Sequence, residues 1–186
     1  MAADPENRFS DWAEVVRHLT GLSQDDFDLM HHIAPLAREW ADEIVAVFYN
    51  TLYANAQTAA VFHDGERPER ERTLRAWYLA LLQANDDDLF WSGQTRIAFV
   101  HLRRHVSTQY MVGIAVKMRE VFERRAIEAL GRRRGQAAAR AFDRILSAVV
   151  GLTAEGYDVL AHAAFNKDAA IDENMIAWLI AQDRAR

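Results

Sequence analysis

His101, His105 and Tyr49 are the residues of this chain best placed to do chemistry. The two histidines stand one helical turn apart in the stretch TRIAFVHLRRHVSTQYMVG, residues 95–113. His101 sits on a face that is otherwise apolar, with Ile97 one turn before it and Phe90 further back. An imidazole so placed has two uses. It is either a core histidine satisfied by a carbonyl, or an axial ligand to a buried metal or haem. His101 and His105 could also hold one metal between them, but no third ligand stands near them in the sequence. Tyr49 likewise reads two ways. Its hydroxyl could enter an apolar cavity and donate a hydrogen bond to bound dioxygen, or it could snorkel at the domain surface.

Other chemistries find little support. The chain has no cysteine, which excludes disulfides, thiolate chemistry, iron–sulfur clusters and cysteine-based zinc sites. His18 and His63 lie near helix ends, His31 and His32 point to different sides of one helix, and His162 sits among alanines. No His-Glu-x-x-His pattern or glycine-rich phosphate loop occurs, and no hydrolytic carboxylate pair can be singled out. The formal net charge of −5 over 186 residues gives no sign of general nucleic-acid binding. With 51% hydrophobic residues the chain can bury a substantial single core. No apolar run approaches the roughly 20 residues that span a bilayer. The N-terminus lacks the basic and apolar stretches of a signal peptide. A cytoplasmic protein is expected.

The elements that must position these residues are all helical. Apolar residues recur at three- and four-residue steps throughout, and no period-2 strand stands out. A first amphipathic helix is predicted near Ser10 to Leu19, with Ser10 as N-cap and Trp12, Val15, Val16 and Leu19 as its sticky face. A second opens at Ser23 and is broken or kinked at Pro35. The third, Leu36 to Tyr53, carries Trp40, Ile44, Val47, Phe48 and Leu52 as a core stripe. A short helix or turn follows over Asn55 to Phe62. Pro68 suits the first turn of a helix reaching Ala84. The histidine helix spans Leu89 to His105, and Ser107 or Thr108 caps another that reaches Leu130. Gly131 to Gly135, with three arginines inside, reads as a solvated connection. Gln136 to Phe165 is a long helix, apolar on more than one face, as when a second subunit covers one side. Ile171, Met175, Trp178 and Leu179 make a last amphipathic segment.

The helix order, the Phe48-Tyr49 pair in VFYNTLY and the stretch IAFVHLRRHVSTQYMVG together resemble the sensor globins, that is, the globin-coupled sensors and the related protoglobins. The resemblance runs from about Asp11 to Leu160. It matches the family's Phe-Tyr pair at Phe48 and Tyr49, its Ile-x-x-x-His motif at Ile97 and His101, and its Tyr-Met-Gly helix start at Tyr110, Met111 and Gly113. It implies a globin-like helical sandwich with an extra N-terminal helix, whose long late helices form a dimer interface. It also implies haem b, with His101 as the proximal ligand and Tyr49 as the distal hydrogen-bond donor. Tyr110 would stand beside His101 and bond its free ring nitrogen, the kind of contact that tunes an axial ligand. The helix with Thr73, Leu74 and Trp77 would line the distal side, Thr73 offering a second polar contact.

The chain departs from the family after the histidine. The usual Arg-Ile-Gly-Leu-Pro-like run is replaced by Leu102, Arg103, Arg104, His105 and Val106, without proline. The bend there should differ, and His105 becomes a competing ligand. The resemblance implies a gas sensor that binds O2, and also CO and NO. It would pass the ligation state through a helical homodimer interface to a signalling output outside these residues. On this reading residues 1–165 are the sensor domain and 166–186 a linker or cap. The alternatives are a haem enzyme handling nitric oxide or peroxide, and a haem-free helical interaction domain.

Overall fold

Local rules account for where most helices start and stop. The computed structural model describes the backbone of residues 5–165 and the side chains of residues 12–157. All regular structure among these residues is helical. The first helix, α1 (Pro5–Thr20), begins ahead of the predicted Ser10 cap, with Pro5 at its first position, where a missing N–H costs nothing. Helix α2 (Gln24–Ala37) runs through Pro35 instead of breaking there. The chain then tightens into a 3-10 turn, Arg38–Trp40, before α3 (Ala41–Tyr53). Proline removes one hydrogen bond late in α2, and the tighter turn follows three residues later.

Asn55 caps the short α4 (Ala56–Ala59), its side chain accepting from the Gln57 N–H at 2.8 Å. Helix α5 (Arg67–Leu81) carries Pro68 in its first turn. Asp87 caps α6 (Asp88–Arg103) by accepting from the Phe90 N–H at 2.8 Å. Ser107 precedes α7 (Thr108–Leu130), and α8 (Arg132–Phe165) completes the described chain. The segment predicted around Ile171 to Leu179 lies outside the described residues. No helix of the described residues is long and apolar enough to cross a membrane.

The long helix α8 is the central packing element, resting on α1, α2, α6 and α7, while α3 packs on α5 and α7. Phe122 of α7 and Phe142 of α8 stack face to face at 4.1 Å, and Trp40 meets Phe122 edge-on at 5.1 Å. Tyr78 is fully buried beside Phe142 and donates its hydroxyl to the Ala37 carbonyl at 2.9 Å. These contacts fill one half of the sandwich with side chains. The other half, between α3 and α5 on one side and α6, α7 and α8 on the other, is hollow.

The predicted Gly131–Gly135 loop is instead a single-residue connection. Gly131 adopts φ 76° and ψ 163°, a region open essentially to glycine alone, and α8 starts at the next residue. The arginine triplet therefore lies in the first turn of α8 and not at a helix C-terminus, so the helix dipole does not favour it.

A second tight turn ends α6. His105 takes φ 54° without being glycine. Its N–H donates to the Leu102 carbonyl at 2.9 Å, and the Val106 N–H donates to the His101 carbonyl at 3.0 Å. This is the hydrogen-bond pattern of a Schellman stop, with histidine where glycine is usual. His105→Gly should therefore raise stability by about 1 kcal/mol through relief of the left-handed strain. Thermal unfolding should shift upward by roughly 2–4 °C. An unchanged or lower midpoint would show that the turn carries no such strain.

Candidate functional site

The hollow half is a cavity of about 580 Å³, within the usual size range for a small-molecule or cofactor site. Phe48, Tyr49, Thr73, Leu74, Trp77, Ile97, His101 and Tyr110 all line it. The tertiary fold thus brings these eight residues, far apart in sequence, to one place, while His105 stays outside it. Their roles in the wall differ.

His101 projects from the last turns of α6. Its Nδ1 lies 2.8 Å from the Ile97 carbonyl. A carbonyl only accepts, so Nδ1 carries the proton and Nε2 holds a lone pair. No group among the described residues hydrogen-bonds Nε2. Burial lowers the pKa of the ring below its ordinary value, against a smaller opposing effect of the Ile97 carbonyl; Arg104 adds to the lowering. The side chain is therefore a neutral base with an unpartnered lone pair, in the wall of a largely apolar cavity. The predicted Tyr110 bond to the ring nitrogen is replaced by this carbonyl, because a residue one turn back on the same helix reaches Nδ1 first. His105 is exposed and absent from the cavity wall, which removes it as a competing ligand and removes the two-histidine metal site. No cluster of three His, Cys, Asp or Glu side chains able to hold a metal ion occurs among the described residues.

Tyr49 faces His101 from the opposite wall. It is buried, held edge-on between Phe48 at 5.0 Å and Phe62 at 5.8 Å. Burial pushes its pKa well up, so the hydroxyl stays protonated. It donates to the Arg70 carbonyl of α5 at 2.9 Å. Thr73 is exposed at the rim, its hydroxyl bonded to the Glu69 carbonyl of its own helix at 3.0 Å. The register of α5 instead turns Leu74 and Trp77 inward, so Thr73 offers no polar contact from within.

Several wall residues went unread in the sequence. Gln94 is buried two turns before His101 and accepts from the Trp77 indole N–H at 3.0 Å, tying α6 to α5. Its place on the His101 face was a legible signal. Arg70, Arg96 and Arg104 also line the cavity, and Gly93 and Val100 beside Arg96 are exposed, so this edge opens to solvent. Surface arginines on a helix are common, and nothing in their spacing separates these three from the others.

Glu66 organises two of those arginines. Its carboxylate accepts from Arg104 Nη1 at 2.6 Å and Nη2 at 2.5 Å, pairs with Arg70 Nε at 3.0 Å, and accepts from the His63 N–H at 3.0 Å. The Arg104 hydrogen bonds chiefly hold its pKa down to about 2, against the opposing effect of burial. A depressed carboxyl pKa adds stability above its ordinary value of 4.5, which is lost as pH falls toward 2. The contribution is at most about 3 kcal/mol, and solvent around the partly exposed Arg104 reduces it. The stability gap between the protein and Glu66→Gln should narrow steadily as acid unfolding is followed down from about pH 5. A gap independent of pH would show that the carboxylate adds nothing through its charge.

Comparison with known proteins adds to this picture. The Protoglobin family model matches residues 12–159. The globin domain of a Geobacter sulfurreducens globin-coupled sensor superposes with a TM-score of 0.71 at 16% identity, over 77% of this chain and 96% of that one. Among curated proteins none matches. The superposition covers the helical sandwich and supports a globin fold.

Proposed function

The chain belongs to the protoglobin family, and from that premise we propose that it binds haem b through His101 and serves as a gas-sensing globin for O2, and also CO and NO. The observation that carries this reading is the His101 Nε2 lone pair, left without a partner beside a cavity of about 580 Å³. A lone imidazole cannot hold a bare metal ion. An iron that brings four porphyrin nitrogens needs only one protein ligand. The rest of the cavity fits the same group. Its walls are mainly apolar, as a macrocycle requires, and Arg96 stands at the solvent-open edge, where a carboxylate side arm would find a cation.

Haem supplies the gas-binding iron. The protein supplies position and electrostatics. Ile97 fixes the tautomer and orientation of His101, and its acceptor carbonyl makes the ring more basic. Phe48, Leu74 and Trp77 exclude water from the distal wall. Tyr49 holds its proton and would become the distal donor to a polar diatomic ligand on leaving the Arg70 carbonyl.

We extend the reading to signalling. Val112 and Val116 of α7 remain 48% and 42% exposed, one turn apart, and make an apolar strip suited to a homodimer built on α7 and α8. A sensing role needs two arrangements of such an interface that gas binding biases. Residues 166–186 would then serve as a linker or cap toward a signalling output, with the chain acting in the cytoplasm.

The test is haem titration of the purified protein. A Soret band sharper than that of free haem, at one haem per chain and shifted by CO after reduction, is the expected result. A spectrum that stays that of free haem at every ratio would overturn the proposal.

A further inference from the structure

Glu66 joins three parts of the cavity wall that are separate in sequence. It stands at the N-cap position of α5, and its carboxylate takes both terminal nitrogens of Arg104 just beyond the end of α6. Arg104 Nη2 also reaches the Val61 carbonyl at 3.3 Å, in the connection from α4. The Glu66 side chain is only 12% exposed, so this is a sheltered fork-to-fork pair and not a loose surface contact. Arg104 follows His101 by one turn, so the pair begins next to the imidazole. Arg70, the other partner of Glu66, bears the carbonyl that accepts the Tyr49 hydroxyl. The contacts therefore run without a gap from the His101 helix to the hydroxyl on the opposite wall.

A phenol has one proton to donate. While it rests on the Arg70 carbonyl, it cannot serve a ligand inside the cavity. We propose that Glu66 is a positioning residue: by pinning the start of α5 to the end of α6, it keeps the Arg70 carbonyl in place as a competing acceptor for Tyr49. The proximal helix thereby sets how freely the distal hydroxyl can donate. A shift of α6 loosens the pair, lets the first turn of α5 move, and releases Tyr49. This rests on the haem reading for its use in gas binding, but the coupling belongs to the protein without haem.

Two measurements test it. In the haem-free protein, urea unfolding midpoints are compared for the wild type, Tyr49→Phe, Glu66→Gln and the double variant. The expected result is that the two losses are less than additive, because each weakens the same Tyr49–Arg70 bond; full additivity overturns the proposal. In the haem-loaded protein, Glu66→Gln and Arg104→Gln should each slow O2 dissociation about two- to tenfold, the range of one neutral hydrogen bond. Neither should do so in a Tyr49→Phe background. An equal change with and without Tyr49 overturns the proposal, as does an effect of Glu66→Gln without one of Arg104→Gln. Failure to take up haem would defeat the proposed function alone, since the unfolding comparison still decides the coupling.

Discussion

His101→Ala is expected to abolish specific haem binding while leaving the helical fold in place. The imidazole adds no ion pair to the core, and its one hydrogen bond is to the Ile97 carbonyl of its own helix. Its removal should therefore cost little stability, by comparison with the aromatic stack of Phe122 and Phe142. Its removal as a ligand should cost a great deal. Losing a mere supporting contact to a ligand lowers metal affinity by about 10–100-fold, so losing the ligand itself should exceed about 100-fold. The check is a haem titration followed by the Soret band, with helicity measured in parallel by circular dichroism. Added imidazole should restore a ligated spectrum, because the vacated space remains in the wall. A variant that keeps the wild-type spectrum would show that some other group holds the iron.

Gly135→Ala should be the most damaging glycine-to-alanine change in the described chain. A Cβ at this position would lie 2.5 Å from both Cα and N of Ile127 and 2.6 Å from the Ala126 carbonyl carbon. All three are backbone atoms of a helix and cannot swing aside. The only relief is to separate the start of α8 from the end of α7, just where the one-residue connection at Gly131 forbids adjustment. The loss should be about 3 kcal/mol or more, a large part of a domain's typical 5–15 kcal/mol. Denaturant unfolding measures it directly. Gly113→Ala is the control, since a Cβ there meets nothing within 4 Å, and it should be tolerated. Similar losses at both positions would mean that helix contact is not the cause.

Because α7 and α8 carry Met111, Met118, Leu146 and Val149 of the cavity wall, Gly135→Ala should also impair haem retention, through the shape of the wall alone. The two predictions are thereby separable. One removes a ligand and spares the fold; the other strains the fold and spares the ligand.

The sequence alone determined the helices, the order in which they appear, and which face of most turns inward; on α1, Val15 and Leu19 of the predicted apolar face stay exposed, and Ala13 is buried along with Val16 instead. Those features rest on three- and four-residue spacing, on caps such as Asn55 and Asp87, and on Pro68, all of which act within a turn or two of chain. His101 on an apolar face was legible for the same reason, as was its meeting with Phe48 and Tyr49 through family resemblance. Local spacing misjudged Pro35, which a 3-10 turn accommodates, and the glycine-flanked arginines, which belong to α8. The tertiary structure decided which group each polar atom meets. Ile97 and not Tyr110 satisfies the His101 ring, Thr73 turns to its own backbone, and Tyr49 rests on the Arg70 carbonyl. It also placed Glu66 against Arg104 and brought the backbone of α7 against Gly135. A hydrogen-bond partner across helices depends on the approach and rotation of two elements far apart in sequence. A shift of an ångström exchanges one partner for another without changing the periodicity of either helix.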